Sequence, residues 1–128
     1  MEYYCFVNLA QKQDSRNNFE PCDINLSFVP LPLRSFYATN NPINVEIVLS
    51  DLTSVRFSPA NYLERLQSEY DIEDSSFVFA TQEGDPIYLK PNGIFRGTHG
   101  SFALQETKIS NNFDSYVAML SKEMLEKK

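Results

Sequence analysis

The sequence predicts an α+β domain with a central sheet, mixed or antiparallel, flanked by helices. Three observations carry that prediction. The middle of the chain is a series of short β-branched and aromatic runs punctuated by Pro, Gly and Asn. A segment opening on Ser58-Pro59 places apolar residues at helical spacing, and the last segment keeps five apolar residues on one helical face. Strands gathered in the middle with helices beside them read as one sheet covered by helices. A length of 128 residues falls in the usual single-domain range, so one domain over residues 1–128 is expected.

Residues 1–10 are apolar around Tyr3 to Val7 and read as a first strand or helix. No basic residue precedes the patch and no small-residue cleavage site follows, so it is not read as a signal peptide. Residues 11–18 are polar, without Gly or Pro, and fit a helix or a loop. Ile24, Leu26 and Phe28 alternate with Asn25 and Ser27, the period of a half-buried strand. Pro30 and Pro32 end it, with Pro32 placed for the first turn of a short helix carrying Leu33, Phe36 and Tyr37 on one face. Asn40-Asn41-Pro42 closes that helix. Residues 43–49 are β-branched and predict a strand, Ser50-Asp51 a turn and residues 55–57 a short strand.

Ser58 offers a hydroxyl cap with proline at the first helical position behind it. Tyr62, Leu63, Leu66 and Tyr70 form the expected buried stripe, ending ahead of Asp71-Ile72-Glu73-Asp74. Residues 77–80 read as a buried central strand, Glu83-Gly84-Asp85-Pro86 as a turn, and residues 87–89 as the next strand. Pro91-Asn92-Gly93 supplies a hairpin turn, and residues 94–97 pair back. The clearest helix follows. Asn111 is placed to cap it, Asp114 sits where a capping box and the N-terminal dipole favour a carboxylate, and Phe113, Tyr116, Val117, Leu120 and Met124 line one face.

Chemistry is harder to find. His99 is the only histidine, so no His pair can hold a metal or shuttle protons. Cys5 and Cys22 form no CxxC and lie in no nucleophile motif; reduced thiols in a cytoplasmic protein are the expectation. Gly97-Thr98-His99-Gly100 places His99 at a turn, and an enzyme built on His99 and an acidic residue is the weakest of the readings. Gly93, Gly97 and Gly100 lack the spacing and the Lys-Ser/Thr ending of a phosphate loop. Glu83 and Asp85 can touch a cation, but an EF-hand needs several more oxygen ligands in sequence, so they read as solvated hairpin carboxylates. No cofactor, metal or catalytic residue is assigned.

Charge is more informative. The net charge is −6, with a sequence pI near 4.7. Such a chain repels a phosphate backbone, which removes nucleic acid as an expected partner and favours a basic protein. No apolar run approaches the roughly 20 residues that span a bilayer, so no membrane is expected either. Residues 61–90 carry seven acidic and two basic residues, so most of the net charge is concentrated there. Glu69, Asp71, Glu73, Asp74, Glu83 and Asp85 are therefore the candidate partner-binding residues, weighed against an ordinary solvated surface.

The same segments resemble the SUKH superfamily. Phe77-Val78-Phe79-Ala80-Thr81, the Glu83-Gly84-Asp85-Pro86 turn and Ile87-Tyr88-Leu89 are similar to its central strand–turn–strand. Ile94-Phe95 and His99-Gly100 resemble its next strand and histidine turn, and Asn112-Phe113-Asp114-Ser115-Tyr116-Val117 its closing helix. Leu31-Pro32-Leu33-Arg34-Ser35-Phe36-Tyr37 resembles the family's Leu-Pro helix, although Asn41-Pro42 stands where two glycines are usual. The likeness runs over about residues 31–120. It implies an α+β domain without a catalytic centre that binds another protein: an immunity protein that blocks a cognate toxin, often a nuclease, or alternatively an intracellular regulatory or scaffold domain.

Overall fold

The computed structural model describes residues 3–70, 72, 75–99 and 104–126, with the backbone alone at 99 and 104. The chain runs α1 (Tyr4–Gln13), β1 (Phe19–Glu20), α2 (Leu31–Thr39), β2 (Asn41–Pro42), β3 (Val45–Val48) and β4 (Ser54–Phe57). A 3₁₀ turn (Ala60–Tyr62) leads into α3 (Leu63–Tyr70), followed by β5 (Phe77–Gln82), β6 (Asp85–Lys90), β7 (Gly93–His99), β8 (Leu104–Ser110) and α4 (Phe113–Glu126). The α+β prediction holds, and the sheet is antiparallel throughout. Strands β3 to β8 lie in chain order, while β1 and β2 form a separate two-stranded ribbon. Short connections such as Glu83-Gly84 leave no room for the crossover a parallel pair requires.

Helices α1 and α4 pack together and against the sheet, and α2 contributes Phe36 to the same core. Phe36 is the hub: its ring lies 5.0 Å from Tyr3, 5.2 Å from Phe113, 5.6 Å from Tyr37 and 6.0 Å from Phe57. Phe79 extends the cluster to Phe113 and Tyr116 at 5.4 and 5.9 Å. Most of these pairs meet edge-on or tilted, the arrangement that the ring quadrupole favours. The five apolar residues expected on the last helix are all buried.

Several elements differ from expectation. Residues 24–28 form turns rather than a strand. The Asn25 side chain accepts the Ser27 N–H at 2.9 Å, and the Val29 N–H bonds back to the Leu26 carbonyl. That local Asx turn competes successfully with a ladder, and only Leu26 of the alternating trio is buried. Ser58 does not cap the helix after it. Its hydroxyl donates to the Pro59 carbonyl, and the Ala60 N–H is met by Asn41 Oδ1 at 2.8 Å, a cap supplied from the remote ribbon. Asn112, not Asn111, caps α4, through the Ser115 N–H at 2.8 Å. Strand β8 was not expected, because Gln105, Glu106, Thr107 and Lys108 are exposed in a row and show no alternation. Residue 99 ends β7, opposite residue 104, rather than lying in a turn; its side chain and residue 100 lie outside the described residues.

Side-chain amides close the backbone edges on one side of the sheet. Gln13 Nε2 donates to the Val48 carbonyl at 2.8 Å, and its Oε1 accepts the Val48 N–H at 2.7 Å. Asn17 treats Glu46 the same way, at 3.1 and 2.9 Å, and also donates to the Ala10 carbonyl at 2.8 Å. These two residues give the outer edge of β3 the partners a further strand would have supplied. Where β4 stops short of β5, Gln67 bonds the Val78 N–H and carbonyl, both at 2.7 Å.

Candidate functional site

The site sits where α3 crosses the ends of β4 and β5. Tyr62, Leu66, Glu69 and Tyr70 fall at i, i+4, i+7 and i+8, which aligns them on one helical stripe. Leu66 is buried, but Tyr62 and Tyr70 are only half-buried, so the two phenols expected in the core stand instead at the rim of a groove. The groove has a volume of about 220 Å³, and Arg56, Thr81 and the Ser58-Pro59 segment complete its walls. That volume is below the ~300–1,000 Å³ of small-molecule pockets and suits a single long side chain better.

Three polar ties hold it in shape. The Gln67 amide fixes α3 along β5, and the Tyr70 hydroxyl donates to the Gly84 carbonyl at 3.2 Å. The second tie brings the end of α3 onto the β5–β6 hairpin. The third is the Asn41 cap at Ala60, which fixes where the helix begins.

The carboxylates singled out from the sequence have different surroundings. Glu69 is exposed and accepts a hydrogen bond from the Tyr62 hydroxyl, with Arg65 Nε 3.9 Å away. That bond to Glu69 raises the Tyr62 phenol pKa above its ordinary value. Arg65 also lies over the Tyr62 ring, 5.9 Å from its centroid. Glu83 is exposed at the hairpin turn with φ of 50°, and one of its carboxylate oxygens accepts the Ser54 N–H at 3.2 Å. Asp85 is engaged within the fold: Arg96 Nε and Nη2 both donate to its Oδ2, at 3.0 and 2.8 Å. Its charge is therefore largely balanced before any partner arrives. Asp71, Glu73 and Asp74 lie outside the described residues.

The Tyr70 hydroxyl links the end of α3, next to Glu69, to the Glu83 hairpin, whereas Asp85 on the same hairpin is paired with Arg96. Charge counting alone missed Tyr62, Tyr70 and Arg56. The available signal was the Tyr-x₃-Leu-x₃-Tyr spacing, in which two phenols flank a leucine across the 3₁₀ turn and the eight-residue helix that follows it. The face can accept a cationic side chain between phenol and carboxylate oxygens, or stack a planar one on Tyr62. Among the described residues no group of three or more His, Cys, Asp or Glu gathers to hold a metal ion, and no helix is long and apolar enough to cross a membrane. No protein-family model, curated protein or solved structure matches the chain.

Proposed function

We propose that the chain is a non-enzymatic protein-binding domain that docks a basic partner on the α3 face. The observation that carries this reading is the groove itself, lined by Tyr62, Tyr70, Arg56 and an exposed Glu69, with Arg65 3.9 Å from that carboxylate. Tyr and Arg are the residue types that concentrate binding energy at protein interfaces. The acidic surplus of residues 61–90 adds a field that speeds the approach of a positive surface. The SUKH resemblance takes the reading one step further. The partner is then a toxin, with a basic nuclease the best electrostatic fit, and the chain is its immunity protein.

The test is co-expression with the product of the adjacent gene. The expected result is rescued growth and a stable complex on size-exclusion chromatography, with Glu69→Arg and Tyr62→Ala each weakening the complex at least ~10-fold, or ~1.4 kcal/mol. Rescue and affinity unchanged in both variants would move the interface off this face. No rescue and no complex would sink the immunity reading.

A further inference from the structure

We propose that β8 is a self-pairing edge, through which two copies of this chain join antiparallel, strand to strand, about a two-fold axis at Thr107. The two edges of the six-stranded sheet are finished differently. At β3 the outward N–H and carbonyl groups of Glu46 and Val48 are met by Asn17 and Gln13. Strand β8 spans seven residues, and among the described residues no strand or side-chain amide covers its outer side. An uncovered edge of that length is a template for another strand.

The side chains indicate which strand fits. With the axis at Thr107, Glu106 of one copy lies opposite Lys108 of the other, and the same pair repeats across the axis. Thr107 meets its own counterpart, while Gln105 faces Ile109, where the β7–β8 register shifts, so the regular pairing is confined to Glu106–Lys108. Opposite charges directly across an antiparallel pair are favourable. Glu106 and Lys108, two residues apart, share a sheet face, so both pairs form on the same side. A lysine on an edge ordinarily repels strand addition; here the approaching copy carries the matching carboxylate, and an arbitrary strand does not.

Glu106 also accepts from the Tyr88 hydroxyl at 2.7 Å and from Lys90 at 3.0 Å, both on β6, so in the dimer its carboxylate is shared between Lys90 and the incoming Lys108. The acidic surplus that would drive two copies apart lies elsewhere, since residues 91–128 carry five basic and four acidic residues. The contact is isologous and closes on itself, giving a dimer and not a filament. Three regularly paired residues a side make it small, so the association is weak and concentration-dependent.

Sedimentation equilibrium from ~10 μM to ~1 mM chain tests it. The wild type is expected to show a monomer–dimer equilibrium. Lys108→Glu sets carboxylates opposite carboxylates and is expected to weaken it at least ~10-fold, and Glu106→Lys does the same with ammonium groups. Mixing K108E with E106K is expected to restore association as a heterodimer. Because Glu106 also serves Tyr88 and Lys90, a second measurement covers the case in which E106K misfolds. Amide hydrogen exchange over residues 105–109 is expected to slow with chain concentration in the wild type and not in K108E. A wild type that stays monomeric at ~1 mM overturns the proposal. So does a K108E that dimerises as the wild type does, or a mixture of two folded variants no more associated than either alone.

Discussion

Replacing Asn17 by alanine is the sharpest probe of how this sheet is finished. The side chain is 4% exposed and makes three hydrogen bonds, to the Ala10 carbonyl and to both backbone groups of Glu46. At ~1 kcal/mol net per bond, their loss costs about 3 kcal/mol. The Ala10 carbonyl keeps its bond from the Asp14 N–H, at 3.1 Å, and water reaching the Glu46 backbone lowers the figure, so the expected range is ~1.5–3 kcal/mol. Gln13→Ala removes two bonds at a half-buried site and is expected to cost ~1–2 kcal/mol. Urea unfolding followed by circular dichroism measures both; with a slope of ~1.5 kcal/mol/M, a 3 kcal/mol loss moves the midpoint by about 2 M. Asn17→Asp separates the bonds from the burial, because a buried carboxylate still accepts the Glu46 N–H but faces two carbonyl oxygens it cannot donate to, and its cost at neutral pH should exceed that of Asn17→Ala. An Asn17→Ala cost below ~1 kcal/mol, no more than an exposed polar substitution produces, would refute the idea that these amides replace a strand.

Two further perturbations address single positions. Gly93 has φ of 152°, and a Cβ built there meets the Ser110 carbonyl oxygen at 2.6 Å, whereas Gly84, with φ of 87°, has open space around it. Gly93→Ala should therefore cost ~2–4 kcal/mol and Gly84→Ala about 1, read from the same urea curves; equal costs would show that the close approach of β8 does not matter. The Tyr3 hydroxyl donates to Asp114 Oδ1 at 2.8 Å, and burial together with that carboxylate pushes the phenol up to about 12. The protonated phenol is the form favoured by the fold, so its contribution is complete below pH 10 and is lost as pH rises towards 12. The stability gap between wild type and Tyr3→Phe should be ~1.5–3 kcal/mol at pH 8 and shrink through that window, and a gap independent of pH would count against the pairing.

Much of this fold was legible because long apolar stripes and turn chemistry speak locally. Phe113, Tyr116, Val117, Leu120 and Met124 could bury only one way, and Glu83-Gly84 could serve only as a turn. The misreadings share a physical cause. Ile24, Leu26 and Phe28 have the strand period, but Asn25 satisfied the backbone locally and left no ladder to join. Strand β8 is invisible to pattern reading because an edge strand with solvent around it needs no alternation. The cap of Ala60 by Asn41 spans nineteen residues, so no window around Ser58 contains it. At the candidate site, sequence located the charge but not its use: Asp85 gave no sign that Arg96, on the next strand, would take it up.

Helix α3 shows why the proposed binding face depends on those long-range polar ties. It has eight residues, of which only Leu63 and Leu66 are buried. An isolated helix of that length is not stable in water, and two buried leucines supply only about 3–6 kcal/mol before the entropy of ordering is met. What fixes its direction is Gln67 on β5, Tyr70 on the hairpin and Asn41 at its start. Each of the three anchors a different part of the groove wall, and two of them, Gln67 and Asn41, set the spacing of Tyr62, Glu69 and Tyr70 without needing to touch a partner. A ligand seated between those side chains binds only the docked helix, and by mass action its binding free energy becomes stability of α3. Loosening the Gln67 clamp therefore lowers affinity without altering a single contact residue, because the competent arrangement is then populated for a smaller fraction of the time.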